Sequence, residues 1–242
     1  MEYRFRRREW KYLVARPQAD ALEAALCTSL VADPFGDQRG RYRVTSRYFD
    51  TRDLAIYRDR VQHPDSDGPT KLRLRVYGEV FDHQTPAMVE LKSTIRGISH
   101  KQRLETSLAS AVELTRGEAP GASIPDLLLA TRVARLVRTD GLVPVCDISY
   151  ERTALMSYED GVRVTFDREL IGRKLRYEPA ASAPVLASDA VVVELKIEQA
   201  VPSWLLGLMD GLLPLEEGFS KYVHAMGGSA GLGVELAEVT MS

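Results

Sequence analysis

The sequence predicts an α+β fold in which a large antiparallel sheet is flanked by helices, and three observations carry that expectation. The first is Lys71-Leu72-Arg73-Leu74-Arg75-Val76-Tyr77, which alternates cation and apolar residue without a break. Successive residues of a strand point to opposite faces, so Lys71, Arg73 and Arg75 share one face at intervals of roughly 7 Å, while Leu72, Leu74 and Val76 share the other. The second is recurrence. Glu9 and Lys11 fall on one side of Arg8-Glu9-Trp10-Lys11-Tyr12, Glu90 and Lys92 on one side of Met88-Val89-Glu90-Leu91-Lys92, and Lys101 with Arg103 in His100-Lys101-Gln102-Arg103-Leu104. Arg163, Thr165 and Asp167 do the same after Gly161, as do Glu194 and Lys196 after Val193. The third is helical apolar spacing in the middle of the chain, where Leu127, Leu128, Ala130, Val133, Ala134 and Val137 form one broad face.

Taken in order, a first strand is predicted over residues 3–14. Beyond Pro17 the run Ala19-Asp20-Ala21-Leu22-Glu23-Ala24-Ala25-Leu26 reads as a helix reaching about residue 30. Asp33-Pro34-Phe35-Gly36-Asp37 is a loop. A strand over 42–49 ends in Asp50-Thr51-Arg52-Asp53, whose side chains cap a short helix to residue 57. Turn residues fill 63–69. Strands follow at 70–77, 87–93 and 99–106, helices at 109–116 and 125–138, and strands at 143–155, 162–166 and 190–198. A short strand at 173–177 and a loose small-residue loop at 180–188 separate the last two. Helices at 202–209 and 219–226 end the body, so residues 1–226 are expected to form one domain and 227–242 a flexible Gly-rich tail.

Strands with one apolar and one ionic face suit two architectures. One is an antiparallel sheet on helices with its other face in water. The other is a closed barrel whose ionic faces converge inside while helices cover the outside. Cations 7 Å apart repel by about 2 kcal/mol at an effective dielectric near 20. A dry interior of Lys and Arg is excluded, because an unpaired buried ion costs several kcal/mol and a buried Leu returns only about 1.5–3 kcal/mol. A water-filled bore is allowed. Alternation alone favours the wet outer face. The scarcity of Ser, Thr and Gln on the ionic faces favours the bore.

Composition narrows the function. The chain has 242 residues, 45% of them hydrophobic, with 32 Lys and Arg against 34 Asp and Glu for a net charge of −2. A globally basic nucleic-acid binder is not indicated, and no nucleic-acid partner is expected. Cys27 and Cys146 lack metal-ligand spacing, which points to a reduced, cytoplasmic setting. The basic start Met1-Glu2-Tyr3-Arg4-Phe5-Arg6-Arg7-Arg8 has no apolar run behind it, so no signal peptide is expected. No stretch suits a bilayer span. His63, His83, His100 and His224 show no ligand spacing, and no Gly-rich phosphate loop of the Walker type is present.

Several motifs occur in a fixed order: Arg8-Glu9-Trp10-Lys11-Tyr12, Tyr48-Phe49-Asp50-Thr51, Lys71-Leu72-Arg73-Leu74-Arg75-Val76-Tyr77-Gly78, Glu90-Leu91-Lys92, Tyr150-Glu151-Arg152-Thr153-Ala154, Val193-Glu194-Leu195-Lys196 and Phe219-Ser220-Lys221-Tyr222. As a set, from about residue 8 to 226, they resemble the VTC domain, the polyphosphate polymerase domain of the vacuolar transporter chaperone family, within the triphosphate tunnel metalloenzymes. The resemblance implies a tunnel-shaped antiparallel β-barrel flanked by helices. It implies a bore that binds ATP or another triphosphate, or inorganic polyphosphate, together with a divalent metal, Mn²⁺ or Mg²⁺. It also implies transfer of the γ-phosphate of ATP to a growing polyphosphate chain, in some members beside a membrane-protein partner. Carried over by position, Lys11, Arg73, Arg75, Lys92, Arg152 and Arg163 resemble phosphate-binding basics, and Lys101 and Arg103 extend that set. Lys196 and Lys221 resemble basics near the reacting end, and Glu194 the metal-binding glutamate. The wider superfamily often opens with acid-x-acid-x-Lys. Here Arg7 replaces the first acid and leaves only Glu9 ahead of Lys11, which puts metal binding by the first strand in question.

The chemistry is consistent with that set. Phosphoryl transfer needs in-line positioning and neutralisation of the phosphate oxygens. Arginine forks bond two oxygens at once and lysines add point charge. A terminal phosphate is already anionic, so a polymerase needs no strong base, whereas a triphosphatase would need Glu9 or Glu90 to orient water. The plain alternative for each Glu and Lys pair is a same-face ion pair on a wet sheet, worth under about 1 kcal/mol. A non-catalytic polyphosphate sensor would keep the basics without needing Glu194. Single-stranded RNA binding would need exposed aromatics among the basics, and only Trp10 and Tyr77 qualify.

Overall fold

A computed structural model describes residues 8–63, 66–96, 98–175, 182–198, 200–209 and 219–227. The alternating segments become strands. β1 (Arg8–Ala15), β3 (Arg41–Asp50), β4 (Lys71–Tyr77), β5 (Pro86–Ile95), β6 (Ile98–Ser107), β7 (Val143–Ser157), β8 (Val162–Lys174) and β10 (Ala190–Ile197) form one antiparallel sheet, in the order β1-β10-β8-β7-β3-β4-β5-β6. The short β2 (Val31–Ala32) adds to β7 and β9 (Ser182–Pro184) to β8. The helices are α1 (Arg16–Leu26), α2 (Ala55–Gln62), α3 (Leu108–Thr115), α4 (Leu127–Asp140), α5 (Ser203–Met209) and α6 (Lys221–Gly227).

Period-two alternation decides where the core lies. Leu72, Leu74, Val76, Val89, Leu91 and Leu104 turn outward and pack under α3 and α4, meeting Ala111, Leu114, Leu129, Val133 and Val137. Each such Leu or Val stabilises by about 1.5–3 kcal/mol. The long α4 is held at both ends: Asp126 Oδ1 accepts the Leu129 amide at 2.9 Å, and Gly141 closes it at φ 62°, the left-handed region where glycine has no Cβ to clash. Tyr12, Val14, Val164, Phe166, Val193 and Leu195 form a second outer core beneath α1 and α5. A third apolar cluster lies on the concave side, where Val44, Ile148, Tyr150 and Val192 receive Tyr222, Ala225 and Met226 of α6.

The sheet curls on itself. Lys92 on β5 is near enough to Lys11 and Glu9 on β1, and to Glu194 on β10, for their charges to act on it. Five strands separate β1 from β5 in the sheet order. The helices are outside and the ionic faces inside, a tunnel-type α+β fold. Closure differs from a complete barrel, because β1 and β6 end the strand order and do not pair with each other among the described residues. Both rims carry hydrated ions, with Glu9 and Lys11 at 38% and 31% side-chain exposure and Lys101 and Arg103 at 44% and 46%. Charged edges resist ladder formation.

Several expected elements shift for local reasons. α1 begins at Arg16, because Pro17 fits the first turn of a helix, and it ends at Leu26. α2 starts only after Leu54 at φ 61° and extends to Gln62. The separate strands expected at 162–166 and 173–177 are one strand, β8, bent by a bulge where Glu169 takes φ 53° and the pairing slips between Ser149 and Glu151 of β7. Part of the expected loop at 180–188 is β9. The beginning of the first strand at 3–7 and the tail beyond 227 lie outside the described residues.

Candidate functional site

The concave face is organised around buried carboxylates, each shared by several cations. Glu90 is only 2% exposed and sits between the flanking strands' cations because β4, β5 and β6 pair Arg73, Glu90 and Arg103 in one row. Arg73 Nε donates to its Oε2 at 2.8 Å, with the second guanidinium nitrogen also on that oxygen. Lys101 Nζ at 2.6 Å and Arg103 Nη2 at 2.9 Å share Oε1. Burial pushes the Glu90 carboxyl up, but Arg73, Arg75 and Lys101 outweigh it and hold it well below the usual carboxylate range.

Asp167 on β8 is fully buried and takes a two-pronged bond from Arg152, at 2.6 and 2.7 Å, plus Lys221 Nζ at 2.8 Å. Its carboxyl falls to about 2, because the charges of Arg152 and Lys221 exceed the desolvation that would raise it. Lys221 comes from the first turn of α6, whose placement follows from the next residue. Tyr222 donates to Asp50 Oδ2 at 2.6 Å and stacks on Tyr48 at 5.3 Å between ring centres. Asp50 in turn accepts the Ile56 and Tyr57 amides at the start of α2, both at 2.9 Å. Lys174 Nζ meets the Met226 carbonyl at 2.8 Å and holds the other end of α6.

Glu194 on β10 bonds Lys196 Nζ at 2.7 Å and approaches Arg152 at 3.9 Å. Lys11 lies directly across from it on β1, and Glu9 lies across from Lys196. Burial raises the Glu194 carboxyl, but Lys196, contact with Glu9, and the charges of Lys221 and Arg152 hold it well below its ordinary value. Glu9 lies diagonally across from Glu194 on the same face of the β1–β10 pair. Among the described residues no group of three or more His, Cys, Asp and Glu surrounds one point. Two adjacent carboxylates suit a hard cation of the Mg²⁺ kind, which takes one or two protein carboxylates and completes its shell with water and phosphate oxygens. Glu194 and Glu9 are therefore the pair that could hold a divalent metal.

Arg75, Lys71 and Lys92 make no ion pair among the described residues. Arg75 is 6% exposed, yet its donors go to neutral hydroxyls, Ser46 Oγ at 3.0 Å and Tyr150 OH at 3.2 Å. Lys71, Lys92 and Lys101 stand side by side across β4, β5 and β6. Burial and neighbouring cations lower all three, Lys71 and Lys101 to about 8. Like charges in adjacent strand positions are unfavourable by themselves and favourable around a polyanion.

Each residue singled out from the sequence lies on the concave face, with differing engagement. Arg73, Arg75, Lys92, Lys101, Arg103, Arg152, Lys196, Lys221, Glu194, Glu9 and Lys11 converge as described. Arg163 pairs with buried Asp33 and donates to Tyr42 OH at 3.2 Å, so its partner is not the Asp167 of its own strand. Sequence reasoning missed Asp167 and Asp33 as carboxylate hubs, and Tyr48 and Tyr150 as hydroxyl partners of the arginines. For Asp167 the signal was present, since it shares a face with Arg163 and Thr165. For Tyr150 no signal marked the hydroxyl, because Arg75 reaches it from β4 across the intervening β3.

The family model for the VTC domain matches residues 6–228. No curated protein matches the chain in sequence. Among solved structures, a candidate adenylate cyclase from Bacillus halodurans is similar at 15% identity, over 86% of this chain and 92% of that one, with a TM-score of 0.49. A candidate adenylyl cyclase from Hippeastrum, described as having a dominant triphosphatase activity, is similar at 16% identity over 90% and 94%, TM-score 0.48. A protein from Pyrococcus horikoshii is similar at 12% identity over 91% and 97%, TM-score 0.47.

Proposed function

The chain belongs to the VTC domain family, and from that premise we propose that it is a metal-dependent phosphotransferase that binds ATP and inorganic polyphosphate in its bore. The γ-phosphoryl group passes to the polyphosphate end. The observation that carries this reading is Arg75, a buried arginine whose hydrogen bonds go to neutral hydroxyls, in an interior where Arg75, Lys71 and Lys92 lack a carboxylate within ion-pair distance among the described residues. A phosphate chain supplies the missing negative charge.

In this mechanism Arg73 and Arg75 fix the triphosphate by paired N–H donation. Lys11, Lys92, Lys101 and Arg103 neutralise further phosphate units, and Arg152 and Arg163 border the chain from β7 and β8. Lys221 and Lys196 stabilise charge on the oxygens of the transferring group. A terminal polyphosphate oxygen attacks Pγ, the bond from Pγ to the β-bridging oxygen breaks, and ADP departs with that electron pair. Glu194 with Glu9 would hold the divalent cation, which supplies Lewis-acid polarisation of the phosphoryl oxygens.

A triphosphatase is the second reading, favoured by the position of Glu9. It is half-exposed, pairs with Lys11 at 3.2 Å and with no other cation among the described residues, and stands diagonally across from Glu194 where it could orient a water. Glu90 is saturated by cations and does not suit that role. Incubation of the protein with ATP and Mn²⁺ or Mg²⁺, with products resolved on gels and by phosphate release, separates the readings. Long phosphate polymer is expected, and release of phosphate alone would favour the hydrolase. Absence of turnover for any triphosphate by the folded protein contradicts both. Glu194→Gln is expected to remove turnover, whereas a binding-only sensor would be unaffected.

A further inference from the structure

Thr165 is a buried hydroxyl without a partner among the described residues. It is 1% exposed, and its Oγ1 makes no hydrogen bond to any of them. Its strand neighbours Val164 and Phe166 point into the outer core, so Thr165 points to the concave side with Arg163 and Asp167. Directly across on β10 is Glu194, and directly across on β7 is Ala154, which offers a methyl group and no polar atom.

Every polar neighbour on that face is already engaged. Glu194 holds Lys196, Asp167 holds Arg152 and Lys221, and Arg163 holds Asp33. Buried and half-buried hydroxyls nearby on the concave face are used: Ser46 and Tyr150 accept from Arg75, Tyr48 accepts from Arg73, and Tyr42 donates to Asp33. A valine would fill the same volume without stranding a polar atom, and burying an unbonded hydroxyl lowers stability. A hydroxyl in this position therefore points to a ligand.

We propose that Thr165 is a substrate-binding residue whose hydroxyl donates a hydrogen bond to an oxygen of the bound phosphate chain, beside Glu194. The ligand class is an inorganic or nucleoside triphosphate, or the end of a polyphosphate, as read above for the bore. Ionic pairs surround the position, and an incoming phosphate competes for Lys196 and Lys221 while giving Thr165 the acceptor it lacks. A neutral donor there contributes direction where the cations contribute charge.

Titration calorimetry with inorganic triphosphate, without metal and then with Mg²⁺, tests this together with thermal melts of the empty protein. Thr165→Val is expected to weaken triphosphate binding about tenfold, or about 1.4 kcal/mol, while the empty variant melts no lower than wild type. Thr165→Ser is expected to restore affinity. Unchanged affinity in Thr165→Val overturns the inference, as does a lowered melting temperature with a normal triphosphate-induced shift, the mark of a packing role. A loss of affinity seen only with Mg²⁺ overturns direct donation to phosphate. If wild type itself fails to bind triphosphate, the reading of the bore fails instead, a result distinct from equal binding by both proteins.

Discussion

Arg75 and Asp167 are opposite cases of a buried ion. Asp167 is fully buried and compensated by two cations. Converting it to Asn leaves Arg152 and Lys221 without their carboxylate in a low-dielectric setting, and breaking such a group costs about 3–5 kcal/mol. Arg75 has two hydroxyl hydrogen bonds to lose among the described residues, each worth about 0.5–1.5 kcal/mol, and the Glu90 attraction lost with it is offset by relief of the repulsion from neighbouring cations. Asp167→Asn is thus expected to lose about 3–5 kcal/mol in urea denaturation. Arg75→Met is expected to change stability by under about 2 kcal/mol, yet to weaken triphosphate binding at least about thirtyfold. Equal destabilisation by the two variants, with binding intact in Arg75→Met, would mean that Arg75 serves packing. The alternation around Arg73 and Arg75 made both legible as face-sharing cations. Their partners were not legible, because Glu90, Ser46 and Tyr150 reach them only through cross-strand register, which a single segment does not encode.

At the level of elements, the strongly periodic segments read well and the irregular ones did not. β4, β5, β6 and α4 follow uninterrupted period-two or helical patterns, and their observed bounds lie within a few residues of expectation. β8 did not, because the bulge at Glu169 inverts the alternation midway and makes one strand look like two. α6 was legible as a short helix, but its role was not. Lys221 beside Tyr222 and His224 looks like an ordinary surface lysine, and only the bond from Tyr222 to Asp50, 172 residues away, turns it into the bore. The tunnel-shaped sheet expected from the resemblance is present, but the closed barrel that alternation allowed is a curled sheet whose end strands β1 and β6 do not pair with each other among the described residues, and which strands end a sheet is not encoded in any one segment.

For the whole molecule, pH acts on two sets of groups in separate windows with the same sign, stability rising with pH in each. Asp167, at about 2 when folded, together with Glu90 and Glu194, lies below its unfolded value near 4. The stability these groups contribute is complete above that unfolded value and is lost as pH falls through the folded ones, so acid unfolding is expected to set in below about pH 4. Lys71 and Lys101, at about 8, lie below their unfolded value near 10.4. Between those values the unfolded chain binds more protons, so their contribution makes stability rise with pH. Melts between pH 7.5 and 9.5 should show a gain in wild type that is reduced in a Lys71→Met, Lys101→Met double variant, with Lys92 and Lys196 supplying the remainder. A gain of equal size in both proteins would assign it elsewhere.

Diffraction from crystals grown with inorganic triphosphate and Mn²⁺ examines the bore directly. Phosphate density inside the curled sheet, within hydrogen-bonding distance of Arg75 and of at least one of Arg73, Lys92 and Lys221, is the predicted result. Phosphate found only on the outer surface, with Arg75 still bonded to Ser46 and Tyr150 alone, contradicts a phosphate-binding interior.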